Sequence, residues 1–194
     1  MAIRYATAAG NFSNAAIWDG GASIPASGDY VYANGFSVAL DTDVNIGAGT
    51  LSTEVCPTTG IGGGNFTYGA DRIIVGNVKG GTSDCVTYGG TSTFSPTIIG
   101  NVSGSSATAV GVKTRITSGS INTITVVGNV GDFACFFVIA STGHVARLNV
   151  TGNVTTNVGN CCYRTSSSLA ATVQFNCTGI VTGNAYAIFC DTTN

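Results

Sequence analysis

A recurring tripeptide, period-two apolar alternation and a near absence of charge predict an all-β chain wound as a parallel β-helix, or β-solenoid. Gly-Asn-Val occurs at residues 76–78, 100–102, 128–130 and 152–154, with a degenerate copy at Gly179-Ile180-Val181, so the spacings are 24, 28, 24 and 27. Two residues before the glycine stand Ile74, Ile98, Val126, Val150 and Cys177; two after it stand Val78, Val102, Val130, Val154 and Val181. Side chains two apart share one face of a strand, so each copy carries a strand whose apolar face recurs in the next. Only 8% of the residues are Asp, Glu, Lys or Arg, against roughly 25% in an ordinary globular domain.

A second apolar cluster follows each glycine by seven to ten residues, at Cys85-Val86, Ala109-Val110, Cys135-Phe136, Cys161-Cys162 and Tyr186-Ala187. It predicts a second strand in the same coil. About five coils of 24–28 residues result, a stack roughly 24 Å tall at a strand spacing of about 4.8 Å. Helical and leucine-rich solenoids are disfavoured, because the pattern lacks leucine and a 3.6-residue period and is rich in Gly, Thr and Val.

Within these coils Gly76, Gly100, Gly128 and Gly152 mark a shared turn. Asn77, Asn101, Asn129 and Asn153 are expected to stack in register, each amide bonding the neighbours above and below as in cross-β ladders.

The seven cysteines are odd in number and match neither a secreted disulfide framework nor a zinc pattern, so they are read as small buried hydrophobes. Cys85 and Cys161 share a register but lie three coils apart, about 14 Å, too far for a disulfide.

Residues 1–70 lack the tripeptide. The first coil of a solenoid is an open pairing edge, so this stretch is expected to be a capping or attachment segment ahead of solenoid repeats over 71–194. It contains Trp18-Asp19-Gly20-Gly21, Pro25, Gly28-Asp29-Tyr30-Val31, and Asn34-Gly35 followed by the alternating Phe36, Val38 and Leu40. Asn-Gly between such runs predicts a hairpin. Trp18 is expected to anchor the cap and Asp29 to fix a turn.

From Phe12 to Asp43 the pattern of W-x-G-G, a proline, G-D-x-V and N-G-x-x-V-x-L-D resembles an opening recurrent in phage fibre, phage decoration and bacterial surface β-helix proteins. The resemblance implies a virion-surface protein: a capsid decoration or short head fibre bound to the major capsid protein or other virion proteins. The alternatives are a tail-fibre module that binds host surface glycan and a polysaccharide depolymerase. Residues 1–14 show no signal-peptide core, which favours assembly in a host cytoplasm over secretion.

The charge balance excludes other partners. Seven basic and nine acidic side chains give a net charge near −2, too weak a field to hold nucleic acid or an anionic membrane. The longest apolar run, Phe133 to Ala140, is eight residues, against about 20 for a membrane helix. Six N-x-S/T sequons, two of them starting at Asn101 and Asn153, fit poorly with glycosylation, which would block stacking.

Chemistry is sparsely provided for, and the sequence predicts no enzyme and no cofactor. Asp71, Asp84, Asp132 and Asp191 stand at offsets of −5, +8, +4 and +12 from their glycines, so neighbouring coils present no pair of carboxylates of the kind glycoside hydrolysis needs. His144, the single histidine, is read as a solvated loop residue. Asp41-Thr42-Asp43 could chelate Ca²⁺ only if carbonyl oxygens joined it, and no metal site is expected. Arg72, Arg115, Arg147 and Arg164 are read as solubilising or intersubunit groups. Exposure of Tyr68, Tyr88 and Tyr163 would favour glycan binding. The last coil, through Ile188, Phe189 and Cys190, has no polar capping repeat after it, which with the charge-poor surface predicts closure by symmetry, as a homotrimer.

Overall fold

The computed structural model describes residues 1–69, 71–89, 95–116, 121–139, 143, 145–166, 172–184 and 188–191. It is a β-solenoid, and its one described helix is a single 3₁₀ turn at Ala15–Ile17. Two parallel sheets run along it, each with eight successive strands. The first sheet stacks Ile3–Tyr5, Tyr30–Tyr32, Val44–Ser52, Ile73–Lys79, Thr97–Ile99, Ile121–Val127, Val145–Thr151 and Thr172–Cys177. The second stacks Gly10–Asn11, Ser37–Ala39, Asn65–Tyr68, Val86–Gly89, Val112–Ile116, Cys135–Ile139, Cys162–Ser166 and Ile188–Asp191. Short strands Val102–Ser103, Val154–Thr156 and Val181–Gly183 continue the chain beyond the glycine corner of the first sheet.

Register follows the apolar alternation. Ile74 pairs with Ile98, Ile98 with Val126 and Val126 with Val150, and each is at most 2% exposed. Beyond the corner, Val31, Leu51, Val78, Val102, Val130 and Val154 form a second inward column. The second sheet sends in Val38, Phe66, Val86, Val112, Cys135 and Cys162. These columns merge into one hydrophobic core. Each side chain packs on its equivalents in the coils above and below, which is why the same residue class returns at a position.

The boundary expected near residue 70 does not separate a cap from a solenoid. Ile3 pairs with Tyr30, Tyr30 with Thr50 and Thr50 with Asn77, so the first three strands of both sheets belong to the same stack. The tripeptide marks only five of the eight strands of the first sheet, because the inward column tolerates Leu51 for valine and the outward one Thr50 for asparagine. Asn34-Gly35 makes its turn, with both residues at positive φ (54° and 84°), but no hairpin follows. The flanking strands Tyr30–Tyr32 and Ser37–Ala39 enter different sheets, so the turn is a corner of the coil. In the second sheet Val86 aligns with Val112 rather than with Val110, because the turn from Ser103 to Val112 is two residues longer than that from Lys79 to Val86 and folds back on itself between Ser105 and Ala109. Tyr186 and Ala187 lie outside the described residues.

Trp18 fills the space beneath the first coil. It is fully buried, donates its indole N–H to the Phe12 carbonyl at 3.0 Å, and meets the Phe12 ring edge-on at 5.2 Å. Asp29 closes the neighbouring turn, accepting the backbone N–H groups of Ala26 at 2.9 Å and Ala2 at 3.2 Å.

The glycine corner is set by contact as well as by dihedral angle. Gly76, Gly100, Gly128 and Gly152 have φ between 152° and 156°. A Cβ on Gly100, Gly128 or Gly152 would overlap the carbonyl oxygen of the glycine one coil earlier. Gly128→Ala is therefore expected to lower unfolding free energy by on the order of 2–4 kcal/mol, from backbone strain plus a clash with a carbonyl held by neighbouring coils; urea denaturation followed by circular dichroism measures it.

Candidate functional site

The most regular polar feature is the asparagine row beside that glycine corner. The side-chain oxygen of Asn77 accepts the backbone N–H of Asn101, that of Asn101 the N–H of Asn129, and that of Asn129 the N–H of Asn153, each at 2.9 Å. Asn153 accepts from Ile180 at 3.1 Å. This differs from the expected amide-to-amide ladder. The carbonyl oxygen of each corner glycine occupies the space a Cβ on the next corner glycine would take, and the N–H that follows that glycine bonds the asparagine oxygen of the previous coil. An amide-to-amide bond of the expected kind does form elsewhere on the first sheet, from Asn176 to Asn149 at 2.8 Å.

The carboxylates are committed in the same way. Asp132 accepts three successive backbone N–H groups one coil on, from Asn157 (2.8 Å), Val158 (3.3 Å) and Gly159 (3.0 Å). Asp84 takes the Val110 N–H at 3.2 Å and pairs with Lys113 at 2.7 Å. Asp71 takes the Ser95 N–H at 2.6 Å, and Asp43 the Ile73 N–H at 2.9 Å. Asp41 binds the hydroxyl and N–H of Ser13 at 2.5 and 3.1 Å, and the Ser13 hydroxyl holds its carboxyl below its usual range. Asp19 is bound by Arg4 at 2.8 Å. Together with Asp29 and Glu54, all eight acids with described side chains accept a hydrogen bond from another part of the chain, leaving no ready-made pair of free carboxylates among them.

Asp41 therefore bonds to a turn and Asp43 to a strand, on different segments. No group of three or more Asp, Glu, His or Cys side chains able to hold a metal occurs among the described residues. Arg72 reaches back one coil, donating to the carbonyls of Leu40 at 3.1 Å and Asp41 at 3.0 Å. Arg147 donates to Gln174 at 2.5 Å, and Arg115 is exposed. His144 and the side chains of Tyr163, Arg164 and Asp191 lie outside what is described. Tyr68 and Tyr88 face inward, 3% and 5% exposed with rings 5.5 Å apart, so neither offers a surface for a sugar ring.

Sequence reasoning missed one cluster of ionisable groups, on the outward side of the early coils. Tyr30 donates its hydroxyl to Glu54 at 2.5 Å, Lys79 pairs with the other Glu54 oxygen at 2.7 Å, and the Tyr30 and Tyr32 rings stack at 4.9 Å. Tyr32, Ser52 and Lys79 occupy one register column, which the pairing of non-repeat strands with repeat strands conceals in the sequence. Burial raises the Tyr30 hydroxyl, and its bond to Glu54 raises it further. Partial burial alone would raise Glu54, but Lys79 and Tyr30 outweigh it and hold the carboxyl below its ordinary value. This cluster ties three coils together rather than presenting a reactive proton donor.

Four of the described thiols are sealed in the core. Cys85, Cys135, Cys161 and Cys162 are fully buried; burial pushes Cys161 up to about 12 and raises Cys85 and Cys135 strongly. Cys162 pairs directly with Cys135 and, through Val112, with Val86. This preserves the three-coil separation of Cys85 from Cys161.

Comparison with protein-family models, with curated proteins and with solved structures finds no match to this chain. The class defined by its own coordinates is a β-solenoid.

Two outcomes follow. Because Glu54 has a depressed pKa in the folded state, its stabilisation is present above the unfolded-state value and is lost as pH falls through the folded one. Glu54→Gln should therefore be less stable than the parent at neutral pH and approach it in acid, measured by urea denaturation between pH 7 and pH 3. Iodoacetamide at pH 8 should leave Cys135 and Cys161 unmodified in the native protein and alkylate both in guanidinium, as peptide mass spectrometry would report.

Proposed function

We propose that this chain is a non-enzymatic structural protein of a bacteriophage virion, a homotrimeric capsid decoration or short head fibre that binds the capsid surface. The observation that carries the non-enzymatic part is the commitment of the carboxylates: Asp71, Asp84 and Asp132 each bind backbone N–H groups of a neighbouring coil. A depolymerase would need two such groups turned toward a sugar. The virion assignment is supported by the opening pattern from Phe12 to Asp43 and by the charge-poor exterior, which suits a surface given over to neighbouring subunits. The inward-facing Tyr68 and Tyr88 weigh against the glycan-binding alternative. Such a protein works mechanically: a stack of mutually bonded coils bridges capsomers or holds a tip away from the shell.

Immunogold labelling and cryo-electron microscopy of virions that carry the protein test this reading. Many copies distributed over the head are expected. Density confined to the tail tip would replace decoration with receptor binding, and absence from purified particles would overturn the proposal.

A further inference from the structure

We draw no further inference here: the strongest candidate, the row of exposed asparagines Asn101, Asn129 and Asn153 along the glycine corner, belongs to the stacking already described, since each side-chain oxygen is taken by a backbone N–H one coil on, and nothing in the structure shows what would cover it.

Discussion

Everything in this solenoid depends on how closely one coil can approach the next at the glycine corner. The carbonyl of each corner glycine lies where a Cβ of the following glycine would be. A side chain there would force the coils apart along the whole rung and thin the contacts between columns such as Ile74, Ile98 and Val126. The corner has a cost: at this close approach the N–H that follows each glycine makes no backbone ladder bond. The asparagine oxygen resolves it at 2.9 Å, three times in succession. Glycine and asparagine recur together because the first creates the orphan donor that the second satisfies.

The same logic governs the charged groups. A coil leaves unpaired N–H groups wherever it turns, and a carboxylate on the neighbouring coil accepts them more strongly than a neutral oxygen would. Asp132 collects three, while Asp29, Asp43, Asp71 and Asp84 each collect one or two. These acids sit at turns, where Asp43 and Asp71 stay exposed while accepting their bonds.

The early coils achieve the same stacking without the repeat. Glu54, Lys79 and Tyr30 join three coils through side chains, where the later coils use the asparagine row. Gly49 is the counterpart of the corner glycine, and a Cβ there would meet the Asp29 carbonyl. It escapes notice because Thr50 rather than asparagine follows it. Phe133, a non-glycine residue at φ 51°, shows another local solution: its ring lies against Gly159, where any Cβ would collide with it.

What the sequence determined by itself was the solenoid, the inward columns and the glycine corner, because a stacked fold returns each residue to the same environment after one coil and so writes its constraints as a visible period. Tertiary structure alone decided the features set by orientation between coils. These include the donors that the asparagines accept, the neighbours that occupy Asp41 and Asp43, the inward turn of Tyr68 and Tyr88, and the membership of residues 1–70 in the same stack. Spacing along the chain carries no record of where a carbonyl points. It also hides a strand that joins the ladder with threonine and leucine in place of asparagine and valine, because the ladder is held by backbone groups common to every residue.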